Sequence, residues 1–227
     1  MAITNFYFKI FPEAISHRHT YLLKRFVRKV AAKYDRPQKT LIDIGAGDCQ
    51  YQPYFQKLKY FSQDVKNNQQ QSIDYLGEMK ILPSQKFDYV LCTQVLEHLP
   101  EPEKAFQEFY RVLKKNGRLF LTTHLAFEEH GAPADYWRFT RYGLKYLAEK
   151  AGFKVEKITP QGGRFVVLAK ELQILWPRII KNRIGILLFY LLFSLPLFFL
   201  NLILISLDFL DKEKSLTLNY EAIFRKL

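Results

Sequence analysis

LIDIGAGD, residues 41–48, is the stretch on which the reading of this 227-residue chain turns. Leu41, Ile42 and Ile44 make a short apolar strand, and Gly45-Ala46-Gly47 makes a turn at its carboxyl end, where backbone N–H groups approach a ligand with no Cβ in the way. A nucleotide-like ligand is implied. The turn is not the dinucleotide fingerprint, because Gln50 stands where that pattern has its third glycine, and no Gly-Lys-Ser/Thr follows to make a phosphate loop. Asp64 supports the ligand reading: it ends the following strand, 17 residues after Gly47, where an acid accepts hydrogen bonds from both ribose hydroxyls.

From residue 40 onward apolar runs alternate with helical patterns, which predicts a parallel sheet with crossover helices. The candidate strands are TLIDI (40–44), KYFSQ (59–63), IDYLG (73–77), FDYVLCT (87–93), RLFLTT (118–123) and FKVEKIT (153–159). PEPEKAFQEFYRVLKKNG (100–117) predicts a helix, with proline and acids at its start, Phe106, Phe109, Val112 and Leu113 on one face, and Asn116-Gly117 as its stop. A second helix runs from Thr140, its N-cap, to about Ala151, with Gly152 just past its end. The crossover between Asp64 and Ile73 has room for a helical turn or two.

Two further pieces fall in order. Glu78-Met79 follows the third strand just ahead of Leu82-Pro83, and FDYVLCTQVLEHL (87–99) carries strand four into Leu96-Glu97-His98. With these in register, about residues 38–160 resemble the class I S-adenosylmethionine-dependent methyltransferases of the small-molecule type. The resemblance implies an α/β, Rossmann-like fold with a mostly parallel seven-stranded sheet and an antiparallel last strand. It implies that Asp43 and the backbone of Gly45, Ala46 and Gly47 hold the amino acid end of the cofactor S-adenosylmethionine, Asp64 the ribose, and Glu78 with Met79 the adenine, while Gln94 lines the cofactor wall. Cys49 departs from the pattern, many members having a glycine there. No metal ion is expected.

A sulfonium cofactor supplies an electron-poor methyl, so the protein must align an acceptor and, for an O–H or N–H acceptor, remove a proton. His124, just past strand five in TTHLAFEEH, lies where open α/β sheets bind ligands and is the first candidate for a base. His98 is the second, although capping a helix start would also explain it. HGAPADYWRFT (130–140) resembles a bacterial methyltransferase subgroup with a DYWRFT signature, which implies that His130, Tyr136, Trp137 and Arg138 sit at the substrate mouth. Two readings of Arg138 stay open. It pairs with a substrate phosphate or carboxylate while the rings hold a sugar or apolar chain, or it pairs with Asp135 while Trp137 and Phe139 seal the loop onto the next helix.

The formal charge is +12 and unevenly spread. Arg18, Lys24, Arg25, Arg28, Lys29, Lys33, Arg36 and Lys39 are opposed by Asp35 alone, on a stretch where Leu22, Leu23, Phe26, Val27 and Val30 recur at helical spacing. That is a basic amphipathic helix, whose outer face meets water, anionic lipid or RNA. Cys49 and Cys92 are far apart and in no CxxC pair, so neither a disulfide framework nor a structural zinc site is supported, and both are expected to be packing residues. Lys9, Pro12 and Glu13 interrupt the apolarity of the first residues, so no cleaved secretory signal is expected.

Residues 185–207, GILLFYLLFSLPLFFLNLILISL, form an uncharged run long enough to cross a bilayer. Beyond it, residues 217–226 (TLNYEAIFRK) alternate as a strand and suit the antiparallel seventh strand of the resembled fold. If strands six and seven share one sheet, the chain between them must leave and return on the same side. Pro196 halves the run, so the expectation is a monotopic hairpin or two interfacial helices, led in by FVVLAKELQILW, with Trp176, Arg178, Lys181 and Arg183 at headgroup depth, the alternatives being a single span with the tail exported and an apolar surface buried in a dimer. The expected organisation is a basic helical segment (1–37), a methyltransferase core (38–164), an apolar membrane-associating insert (165–214) and the last strand (215–227). The expected function is methyl transfer at the cytoplasmic membrane face to a small-molecule, lipid-linked or glycan-precursor acceptor. An RNA methyltransferase and a non-catalytic membrane scaffold are the alternatives.

Overall fold

The computed structural model describes residues 11–67, 72–180 and 182–227. By their contacts these form two compact units: Lys24–Thr159 with Asn219–Leu227, and the segment ending at Leu23 with Pro160–Leu218.

The strands are β1 Thr40–Ile44, β2 Lys59–Asp64, β3 Tyr75–Leu76, β4 Phe87–Thr93, β5 Leu113–His124, β6 Phe153–Gln161 and β7 Asn219–Lys226. They form one seven-stranded sheet in the order β3-β2-β1-β4-β5-β7-β6. β1 runs parallel to β2 and β4, β4 parallel to β5, and β7 antiparallel to β5. This is the expected fold class, with strand seven placed between five and six.

Helices on both faces explain why the central strands are apolar throughout rather than alternating. Helix α1 (Arg18–Tyr34) turns Phe26, Val27, Val30 and Ala31 into a cluster with Leu41, Tyr89, Leu91 and Phe120. Helices α2 (Pro102–Val112) and α3 (Arg141–Lys150) send Phe106, Phe109, Leu144 and Ala148 into a second cluster with Ile42, Val90, Leu119 and Leu121. Neighbours in sequence such as Leu41 and Ile42 thus serve opposite faces, as the strand pleat requires. Thr140 caps α3 as expected, its Oγ1 accepting from the Gly143 N–H at 3.1 Å.

The boundaries of α2 and β3 differ from the sequence reading, each for a local reason. α2 stops at Val112, because Leu113 pairs with Phe87 and the Lys114 ammonium reaches Asp88 at 2.8 Å. β3 has two residues, because Asp74 turns aside to accept from the N–H and hydroxyl of Ser62, both at 2.9 Å. The crossover after Asp64 lies in part outside the described residues. Asp88, at the start of β4, also accepts from Lys39 and from the Thr40 N–H. Burial works against its charge, but these donors prevail and bring its pKa down to about 2.

In the second unit the expectation of an apolar run broken at Pro196 is overturned. Helix α5 (Arg183–Leu207) passes through Pro196 as one helix of 25 residues. Proline removes one intrahelical hydrogen bond, whereas breaking the helix would orphan up to four carbonyls and four N–H groups at the new ends, in a segment with almost no side chain to cap them. The hairpin is instead formed by α4 (Arg164–Ile179) and α5, which pack together across a short connection. Its open end is closed by carboxylates: Asp208 accepts from the Gly163 N–H at 2.8 Å and Asp211 from the Arg164 N–H at 2.8 Å, satisfying the first amides of α4. The side chains of Trp176, Arg178, Lys181 and Arg183 lie outside the described residues.

Among the large side chains of α5, Tyr190, Leu197 and Leu204 are buried. Leu188, Leu192, Leu195, Phe199 and Ile203 recur at helical spacing and are all more than half exposed, with Leu192 at 68 %.

Candidate active site

β1 delivers Asp43 and the glycine turn together. Gly45 and Gly47 have φ of +66° and +53°, and a Cβ on Gly45 would stand 2.4 Å from the Val95 methyl. Gly45 thus lets the turn close against the end of β4. A Cβ on Gly47 would meet nothing within 4 Å, which leaves open space beside this part of the turn. Cys49 takes φ +52°, a left-handed conformation that a glycine would adopt without strain, which accounts for the residue type expected there.

Asp43 is fully buried and its Oδ2 accepts from the Tyr60 hydroxyl at 2.5 Å, while Oδ1 has no hydrogen-bond partner. Burial raises its pKa to about 7, against the Tyr60 hydrogen bond and with the help of the Asp64 charge. A buried carboxylate oxygen left without a donor fits a cationic cofactor group, which would supply both donor and counter-charge. Asp64 accepts from the Gly47 N–H at 3.0 Å and the Lys66 N–H at 3.1 Å, so it ties β2 to the turn. Each oxygen keeps a second lone pair for a hydroxyl. Gln94, with φ +57° just past β4, donates to Thr122 Oγ1 at 3.0 Å. Asp43, Gly45, Ala46, Gly47, Asp64 and Gln94 therefore lie at the carboxyl ends of adjoining strands. Glu78 and Met79 follow β3 further along the sheet edge. Glu78 is exposed and pairs with Lys80 at 2.7 Å, which lowers its pKa.

The histidines form a second group past β4 and β5. His124 is 2 % exposed, with Nε2 3.3 Å from Glu97 Oε1 and Nδ1 2.9 Å from Asn219 Oδ1. The β5–β7 register places His124 opposite Asn219. Glu97 is wholly buried, and Thr123 Oγ1 donates to its Oε2 at 2.8 Å. Burial raises its pKa, with Thr123 opposing. The His130 ring lies edge-on to those of His124 and His98, at 4.9 and 4.8 Å, and Phe127 stacks on His124 at 4.1 Å. Burial lowers the pKa of His130 against the pull of Asp135.

The loop bearing Tyr136, Trp137 and Arg138 is pinned to this group. The Tyr136 N–H donates to the Glu97 carbonyl at 2.9 Å, and the Trp137 indole N–H to the Leu99 carbonyl at 3.0 Å. Arg138 grips Asp135 through two 2.7 Å hydrogen bonds and also donates to the carbonyls of Phe127, Glu128 and Trp137. All five of its N–H groups are thereby engaged, so the geometry gives Arg138 the loop-holding part rather than the substrate contact. Tyr136 and Trp137 keep 50 % and 42 % of their surface exposed. Sequence reasoning missed Glu97 and Asn219 as partners of His124, and Thr123 as the partner of Glu97. For Glu97 the available signal was its place beside His98.

Comparison with known proteins follows the same line. Residues 15–158 match the methyltransferase domain family. A ubiquinone biosynthesis O-methyltransferase of Glaesserella parasuis serovar 5 (strain SH0165) is 40% identical over 50 residues, 22% of this chain and 21% of that enzyme. The thiol S-methyltransferase TMT1B of Rattus norvegicus is 39% identical over 66 residues, 29% of this chain and 27% of that one. The match thus spans about a quarter or less of either relative. A SAM-dependent methyltransferase from Archaeoglobus fulgidus shares the fold, with a TM-score of 0.59 at 15% identity over 91% of this chain and 94% of that one.

Proposed function

The chain belongs to the methyltransferase domain family, and on that premise we propose that it transfers a methyl group to an oxygen or sulfur atom of a small, apolar or lipid-linked acceptor at the cytoplasmic face of a membrane. The observation that carries the reading is the glycine turn beside a buried Asp43 oxygen that lacks a donor. S-adenosylmethionine bound there supplies an electron-poor methyl on a sulfonium. The open side of Gly47 admits the cofactor, Asp43 meets its positive end and Asp64 its ribose hydroxyls, while Glu78, Met79 and Gln94 border the remainder. Tyr136 and Trp137 offer exposed rings for an apolar acceptor, and the cluster of buried Glu97 and His124 with half-buried His98 and His130 receives the acceptor's polar atom and orients its lone pair. The activities named for the two relatives support an oxygen or sulfur acceptor.

Support for the membrane comes from the exposed apolar stripe of α5. At 25 residues this helix measures about 37 Å, but β6 and β7 share one sheet, so a crossing by α5 would demand a second by α4. α4 has 16 residues, about 24 Å, and carries Lys170 and Glu171, which suits a hairpin lying in the interface instead. An RNA acceptor would use the basic face of α1 and leave this stripe without a role.

Calorimetry with S-adenosylhomocysteine tests the core of the reading. The expected result is binding that Asp64→Ala weakens by about 1–3 kcal/mol, through lost charge-assisted hydrogen bonds. No binding to the wild type would end the enzyme reading. Labelled cofactor incubated with membrane extracts, followed by mass spectrometry, then identifies the acceptor.

A further inference from the structure

The Glu97–His124 contact poses an electrostatic problem. With its Nδ1 proton donated to Asn219 Oδ1, a neutral His124 turns the Nε2 lone pair towards Glu97 Oε1, 3.3 Å away. That oxygen receives no hydrogen bond and lies wholly out of water. Two acceptors facing each other in a buried site need a proton or a metal ion between them.

The surroundings suit a cation larger than a proton. Each group is held at its other polar atom: Glu97 Oε2 by the Thr123 hydroxyl, His124 Nδ1 by Asn219, and His130 Nδ1 by the Glu128 carbonyl at 3.1 Å. Such outer contacts are what fix the tautomer and orientation of metal ligands. One ligand atom from each of Glu97, His124 and His130 lies within 4.8 Å of the others. Two ligands on a tetrahedral zinc, each about 2.1 Å from the ion, stand about 3.4 Å apart, close to the observed Glu97–His124 separation. His130 has at most about 1.4 Å further to move for such a site, and it sits on the loop after β5. A second group, His98, His130 and Asp135, is a poorer candidate, since Arg138 takes both Asp135 oxygens.

We propose that Glu97, His124 and His130 bind a divalent transition-metal ion, with zinc the best match to two imidazoles and a carboxylate, leaving a fourth position open to the acceptor. This departs from the metal-free site expected from the sequence and rests on the methyltransferase reading. The acceptor's O–H or S–H coordinates there and releases its proton to water. Its lone pair then bonds to the methyl carbon, and the electrons of the broken methyl–sulfur bond return to sulfur, forming S-adenosylhomocysteine.

The test uses the full chain, stripped by a chelator and titrated with Co²⁺, whose visible absorption reports tetrahedral nitrogen and oxygen ligation, with Zn²⁺ as competitor. One equivalent should bind, displaced by Zn²⁺, and His130→Asn should weaken binding at least about 10-fold. His130 is a loop residue, so this variant keeps the test open if Glu97→Gln fails to fold. S-adenosylhomocysteine affinity is measured on the same samples. A stripped protein that binds it yet shows no cobalt spectrum overturns the metal site and spares the methyltransferase reading. Cobalt affinity unchanged in His130→Asn overturns the site as assigned, and a wild type that takes up neither removes both readings.

Discussion

Helices α1 and α5 relate apolarity to burial in opposite ways. α1 is crowded with charge, yet Leu22, Leu23, Phe26, Val27, Val30 and Ala31 are buried while Arg25, Arg28, Lys29 and Lys33 face water. α5 carries no charged side chain between Ile184 and Leu207, yet most of its leucines and phenylalanines are open. Burial therefore follows from a stripe matched to an opposing surface, and not from the sum of apolar residues. α1 has its stripe, and α5 is apolar on every side with one side covered. An uncovered apolar helix of that length suits a lipid surface.

The comparison breaks most visibly if charge is placed on the open stripe. Leu192→Glu, Leu195→Glu and Phe199→Glu together should lower partitioning into lipid vesicles by at least about 100-fold, as three side chains each lose about 1.5–3 kcal/mol of apolar burial. Affinity for S-adenosylhomocysteine should stay unchanged. If vesicle binding survives while sedimentation shows a dimer falling to a monomer, the stripe joins two copies and the membrane proposal fails.

Phe106 serves as the covered counterpart of Leu192. Its ring lies edge-on to Phe109, Phe153 and Phe224 with no exposed surface. Phe106→Ala should remove about 3–5 kcal/mol of stability in urea unfolding, whereas Leu192→Ala should stay within about 0.5 kcal/mol without lipid. Similar losses in both would show that the stripe of α5 is covered in solution.

The outer face of α1 offers a weaker, electrostatic version of the same contrast. Replacing Arg25, Arg28 and Lys29 by glutamine should reduce binding to anionic vesicles at low salt by about 1 kcal/mol per charge, and leave neutral vesicles unaffected. Equal loss on both would point to damaged packing instead.

Acid gives the smallest effect and acts on the sheet. Asp88 has a native pKa of about 2 against 3.8 for a free aspartate, so its contribution is complete above pH 4 and disappears as pH falls through 2. Asp88→Asn should cost about 2 kcal/mol near neutrality, and urea midpoints of mutant and wild type should converge near pH 2. A constant gap across that range would mean that packing, not charge, holds the start of β4.

The glycine turn, the acid after β2, the capped α3 and the alternating β7 were legible because each follows from a local requirement: a backbone angle, an orphan amide or a pleat. Arg138 was ambiguous for a related reason. A guanidinium pairs equally well with a ligand or with Asp135, and the loop path alone decides which is in reach. Pro196 misled because its penalty counts one lost hydrogen bond while the alternative, two new helix ends in an apolar segment, does not show in the residue itself.

The sequence by itself determined the order of strands and helices, the glycine turn and the existence of an apolar segment, since these rest on neighbours a few residues apart. Only the tertiary structure brought His124 against Glu97 and Asn219, the last of them 95 residues away in the chain. Pairing of β5 with β7 sets that contact, and burial of Glu97 and His124 then makes each answer to the other where water cannot.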